Sequence, residues 1–190
     1  MRKRVIWLAA LGALGLLLAA AGCGGGDDEG GGEQAVPFDQ AFIDGMVPHH
    51  QEAIAQAKAA RAAGLSQPEL VQIADAIIAT QQEEIDRMVE WRKAWYGSGE
   101  IDPKGVAALG LSDLKMGMQH DAVDLSAAED VDQAFAAMMI DHHQGAITMA
   151  SLALDRAEHG EIKELAQAVI DAQEAEIDVM EAHAMGMNHG

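Results

Sequence analysis

Residues 39–54 read DQAFIDGMVPHHQEAI, and residues 132–147 read DQAFAAMMIDHHQGAI. Identities fall at Asp39/Asp132, Phe42/Phe135, Met46/Met139, His49/His142, His50/His143, Gln51/Gln144 and Ile54/Ile147. A second match follows each of these: QQEEIDRM over 81–88 and QEAEIDVM over 173–180 share Gln-x-x-Glu-Ile-Asp-x-Met. Two matches in the same order mark an internal duplication, and that duplication organises the chain.

Working outward, the segments between and around these motifs read as helix. Alanine is abundant, aromatic residues make up only 4% of the chain, and apolar residues recur at steps of three and four. A first helix is expected from Phe38 to Ala63, stopping at Gly64. Ser66-Gln67-Pro68-Glu69 has the form of a capping box with proline in the first turn, and opens a second helix running to Tyr96 and Gly97. Ser126-Ala127-Ala128-Glu129 has the same form and opens a third helix, ending near His159-Gly160. A fourth fills Glu161 to His183, and the linker 97–125 has room for a short helix near Ser112 to Met118. Short connections within each pair make the partners antiparallel. The sequence thus predicts an all-α four-helix bundle, ferritin-like, from two duplicated hairpins: repeat one over 38–96 and repeat two over 126–184.

The chain ahead of this domain has a different character. Arg2, Lys3 and Arg4 precede an apolar run over 5–21, the layout of a secretory signal, and Ala20-Ala21-Gly22 lead into Cys23. This resembles a bacterial lipobox, which implies cleavage after residue 22 and lipidation of Cys23. The other reading is an uncleaved anchor helix with an incidental cysteine. Either way the expectation is an extracytoplasmic protein that meets the membrane only at its N-terminus. Residues 23–36 are rich in glycine and acidic residues and read as a tether, and the domain occupies 37–190.

Composition removes several functions. The net charge is −19 and the domain has no basic patch, so nucleic acid is a poor partner. Cys23 is the only cysteine, which excludes disulfides, zinc fingers, iron–sulfur clusters and thiol catalysis once it is lipidated. No Gly-x-Ser-x-Gly or phosphate-binding glycine loop is present. Nothing in the sequence encodes a protein partner.

The His pairs sit beside methionine on their helices. Met46 lies three and four residues before His49 and His50, and Phe42, Met46 and His49 share the apolar stripe; Phe135, Met139 and His142 repeat the arrangement. On the partner helices Gln81, Glu84, Met88 and Trp91 share one face, as do Gln173, Glu176, Met180 and His183. Each hairpin therefore aims imidazole, thioether and carboxylate groups at a common region. Leaving them unpaired in a core is costly, and a bound cation would supply the partner. The alternative is a hydrogen-bonded polar core that fixes helix register. Pro48 lacks the N–H that would bond to Asp44, so a kink is expected just before the first His pair.

The nature of the metal follows from the donors. Met116-Gly117-Met118-Gln119-His120 ends the linker and Met185-Gly186-Met187-Asn188-His189 ends the chain. Both read Met-Gly-Met-amide-His in polar surroundings where a thioether has no core to fill. Thioether and imidazole without thiolate favour Cu(I), with Ag(I) following it in softness and histidine available to Cu(II). Met138, Met139 and Met149 can equally serve as core fillers. His159 reads as a helix C-terminal cap, and His183 can join either the core face or the tail.

The two Met-x-x-His-His-Gln motifs, each followed by Gln-x-x-Glu-Ile-x-x-Met, resemble the family called domain of unknown function 305, over essentially all of Phe38 to His183. That resemblance implies a ferritin-like fold and kinship with periplasmic copper-binding proteins of the CopM type, linked to copper and silver tolerance. By position it implies Met46, His49, His50, Met88, Met139, His142, His143 and Met180 as ligands. The family's methionine shortly after the His pair is Met149 in the second repeat but Gln56 in the first, which makes the second hairpin the better soft-metal site.

The leading expectation is therefore a copper-binding protein rather than an enzyme. A carboxylate-bridged di-iron or di-manganese oxidase would need Glu-x-x-His on two helices. Neither repeat has it; the equivalent frames hold Met180-x-x-His183 and Met88-x-x-Trp91.

Overall fold

A computed structural model describes residues 35–118 and 124–184. Helices α1 (Phe38–Ala63) and α2 (Pro68–Tyr96) form the first hairpin, and α4 (Val131–Arg156) and α5 (Gly160–Ala184) the second. Between them lie a short α3 (Pro103–Ala108) and two 3₁₀ turns, Asp113–Met116 and Leu125–Ala127. The hairpins meet chiefly along α1 and α4, so the two helices that carry the His pairs are the innermost. Among the described residues no helix is long and apolar enough to cross a membrane. The leader, Cys23 and the tether up to residue 34 lie outside the described residues, as do His120, Met185, Met187 and His189.

Helix ends follow local chemistry. Gly64 (φ 104°) and Gly97 (φ 82°) take the left-handed conformation that closes α1 and α2, as the sequence predicts. The expected capping boxes do not form. Helix α4 opens five residues after Ser126, because Asp130 accepts from the Gln133 amide, while Ser126 is absorbed in a 3₁₀ turn capped by Asp124. At the start of α2, Gln67 is the N-cap and makes no side-chain capping bond. The free amides there are taken by the other repeat: Asp132 accepts from Ser66 N (2.8 Å), Ser66 Oγ (2.7 Å) and Gln67 N (3.0 Å).

The arrangement is reciprocal. Asp39, the duplicate of Asp132, accepts from Glu158 N (3.0 Å), His159 N (2.8 Å) and His159 Nδ1 (2.6 Å) at the start of α5. Each repeat thus closes the second helix of the other, with an anion placed at the positive end of the helix dipole. Burial alone would raise the Asp132 carboxyl, but its donors from Gln67 and Ser66 outweigh this and hold it below the ordinary value. His159 is not a C-terminal cap, since α4 already ends at Arg156. Its ring stacks on Trp95 at 3.7 Å between centroids.

The core is built from duplicated positions. Phe42 and Phe135 are fully buried, and Ala53, Ala57 and Ala60 on α1 match Ala146, Ala150 and Ala153 on α4. These small residues let neighbouring helices approach closely. One buried ion pair has no duplicate. Asp44 receives two donors from Arg92, whose Nη1 also reaches the Ser98 carbonyl (2.7 Å), and Asp44 further accepts from Asp102 N (3.2 Å). It anchors the linker to the first hairpin, and Gly105 of α3 lies directly against the Asp44 carboxylate.

Asp132→Ala removes three acceptor contacts from the start of α2 and is expected to lower stability by about 1–2 kcal/mol. Asp39→Ala should cost a similar amount, and urea unfolding of the two variants beside the wild type measures both.

Candidate metal centre

Neighbouring residues on an α-helix point about 100° apart, so a His-His pair must face two ways. One imidazole of each pair turns to the opposite repeat: His49 and His142 meet with ring centroids 3.8 Å apart, tilted by 39°. The other turns to its own hairpin partner. His50 Nε2 donates to Glu84 Oε2 on α2 (2.8 Å), and His143 Nε2 donates to Glu176 Oε2 on α5 (2.6 Å). The remaining ring separations are 6.2 Å for His49–His50 and 6.4 Å for His142–His143. The duplication therefore yields one run of four imidazoles through the middle of the bundle.

All four are buried, and the same helices bury methionines close to them in sequence. Met46 and Met139 precede the pairs by one turn, Met88 and Met180 follow the glutamates by one turn, and all four are fully buried. Met149 is also fully buried, its sulfur against Gly45 on α1, one turn before His49. Helix α1 runs unbroken through Pro48.

The linker supplies a donor that spacing could not reveal. Met116, expected in a solvent-exposed Met-Gly-Met segment, is 1% exposed, and its carbonyl accepts from His49 Nε2 at 2.7 Å. The chain reaches this depth because α4 carries Gly145 where the linker crosses. A Cβ there would overlap the Met116 carbonyl, and Gly117 takes φ 68° against the Asp141 carbonyl. Met118 packs half-buried at the core's edge. His183 is half-exposed at the end of α5, where its charge acts on Asp132, ten residues before His142 on α4.

The nitrogen atoms are mostly without partners. His49 Nδ1, His50 Nδ1, His143 Nδ1 and both ring nitrogens of His142 are buried without a hydrogen bond, as are the Oε1 atoms of Gln81 and Gln173. An unsatisfied buried polar atom costs about 1–3 kcal/mol, and a cluster of them is the signature of a missing ligand or water. Burial pushes His142 down to about 3, with His143 and His50 adding repulsion and a weak interaction with the His49 backbone opposing. Burial also holds His49 well below the ordinary imidazole value; His142, His50 and His143 lower it further, against the Met116 carbonyl. Both rings are thus neutral at physiological pH, the form that binds metal.

Among the described residues no three His, Cys, Asp or Glu side chains are grouped to hold an ion by themselves. Nitrogen and oxygen alone do not complete a site, and the buried thioethers are what can. That donor chemistry fits a soft ion and not a hard one.

The fold places the chain among all-helical bundles, and comparison with known proteins agrees. Residues 39–184 match the family model described as domain of unknown function (DUF305), and the chain belongs to that family. Among solved structures it is similar to CopM in the Cu(I)-bound form, with 33% identity over 79% of this chain and 97% of that one, and a TM-score of 0.66. It is similar to CopM in a silver-bound form at 34% identity, covering 80% and 98%, with a TM-score of 0.63. A DUF305 protein from Streptomyces coelicolor, described as secreted, aligns at 26% identity over 76% and 90%, with a TM-score of 0.68. Comparison with curated proteins gives no match.

Two outcomes follow. The metal-free protein should lose stability as pH falls from about 6.5 toward 3. The unfolded chain takes up protons there that folded His142 and His49 refuse, so stability rises with pH through this window and levels off above it. Thermal melts across that range check it. Gly145→Ala should displace the Met116 carbonyl from His49 and lower the melting temperature through overpacking of about 1–3 kcal/mol.

Proposed function

We propose that this protein binds soft monovalent metal ions, Cu(I) foremost and Ag(I) after it, at the four-imidazole centre. The observation that carries this reading is the set of buried imidazole nitrogens without partners, on helices that also bury Met46, Met88, Met139, Met149 and Met180. Thioethers bind without releasing a proton, and His49 and His142 are already neutral, so at these donors the ion meets no protonation barrier. Cu(II) is a secondary cargo, held by the imidazoles. The similarity to CopM in Cu(I)-, Cu(II)- and silver-bound forms supports copper as the cargo.

The protein acts as a binding protein and not as an enzyme. Glu84 and Glu176 are the carboxylates at the centre, and each is committed to a histidine. A carboxylate-bridged oxidase asks for four glutamates and two Glu-x-x-His frames. With Cys23 lipidated and the glycine-rich tether beyond it, the bundle works outside the cytoplasm, where it sequesters or hands on copper. His120, Met185, Met187 and His189 serve as capture ligands.

Competition of residues 36–190 with a chromogenic Cu(I) chelator tests the reading, with zinc run in parallel. Tight Cu(I) binding that survives excess zinc is expected; failure to draw Cu(I) from the chelator rejects it. The double variant His142→Ala/His143→Ala should lose about tenfold or more in Cu(I) affinity, while His159→Ala, which lies at the Asp39 cap, should change only stability.

A further inference from the structure

The two glutamates at the centre make the same contact, atom for atom, in both repeats. His50 Nε2 meets Glu84 Oε2 at 2.8 Å and His143 Nε2 meets Glu176 Oε2 at 2.6 Å. A carboxylate only accepts, so in each pair the ring nitrogen must carry the proton. A neutral imidazole has one N–H, which leaves Nδ1 of both rings bare, and both Nδ1 atoms are buried with no partner. The side chains of the histidines are 0% exposed and those of the glutamates 19% and 20%. The carboxylate charge therefore keeps contact with water while its hydrogen bond reaches inward.

We infer that Glu84 and Glu176 are positioning residues, holding His50 and His143 as Nε2–H tautomers so that each ring offers its Nδ1 lone pair to the metal. The inference rests on the metal-binding reading above. It removes both glutamates from the set of direct ligands: a carboxylate oxygen is a hard donor, poorly matched to Cu(I), whereas an imidazole made more basic by a carboxylate is a better one. The Met116 carbonyl does the same for His49 by accepting from its Nε2. Three of the four rings are thus fixed in tautomer and orientation. His142 makes no hydrogen bond at either ring nitrogen, so no partner sets its tautomer.

The test begins with the metal-free, ¹⁵N-labelled protein and long-range ¹H–¹⁵N correlation of the imidazole rings. Spectra are taken at about pH 8.5, well above the ordinary imidazole pKa of about 6.5. His50 and His143 should both show the Nε2–H pattern. Glu84→Gln, whose amide can donate to Nε2, and Glu84→Ala, which offers no acceptor, should each disturb the His50 tautomer and leave His143 unchanged. Glu176→Gln and Glu176→Ala should do the converse. Each variant should lose about 10–100-fold in Cu(I) affinity, the usual effect of removing such a support. Wild-type rings protonated at Nδ1 overturn the assignment, and so do disturbed tautomers with unchanged Cu(I) affinity. Wild-type protein that binds no Cu(I) defeats the proposed function instead, while the ring spectra still decide the tautomers.

Discussion

Two neutral imidazoles pressed together where α1 crosses α4 set the terms for the rest of the bundle. Placing His49 against His142 removes both rings from water, and two cations could not share that space. The neighbouring rings must then find partners elsewhere, and they do so outward, on α2 and α5. The thioethers fill the remaining volume with groups that need no hydrogen bonds. The side chains proposed to meet the metal are thus also those that pack the core.

The architecture was legible from the sequence to an unusual degree, because its signals are local. Gly64 and Gly97 end their helices where the sequence places them, since a left-handed residue stops a helix whatever surrounds it. The duplicated motifs identified the helices that carry imidazole, and the resemblance to the family agrees with the match over residues 39–184. Both supposed capping boxes were misread for one reason: serine competes with nearby aspartates, and here the aspartates win. Asp39 and Asp132 were visible as a repeated pair, yet their work is invisible locally because each acts on the other half of the chain. The same holds for Met116, whose burial depends on Gly145 nearly thirty residues away.

The two halves are alike in donors and unlike in support. The first carries Pro48 and the Asp44–Arg92 pair that ties down the linker; the second carries Gly145, which admits the linker to the centre, and Met149. Of these, the Asp44–Arg92 pair and Gly145 concern the segment joining the repeats. The duplicated donors were kept on both sides, and part of the asymmetry accommodates that one connection. His49 is held by that connection and His142 is not.

The exchanged aspartates carry a further implication. A hairpin of this kind standing alone would lack the carboxylate that accepts the free amides at the start of its second helix, because that residue belongs to its counterpart. Two copies of a single hairpin would satisfy each other in full, through a self-complementary contact of twofold type. The present chain has the geometry of such a homodimer with its subunits fused end to end. Joining them fixes the stoichiometry and keeps the four-ring centre intact at any dilution.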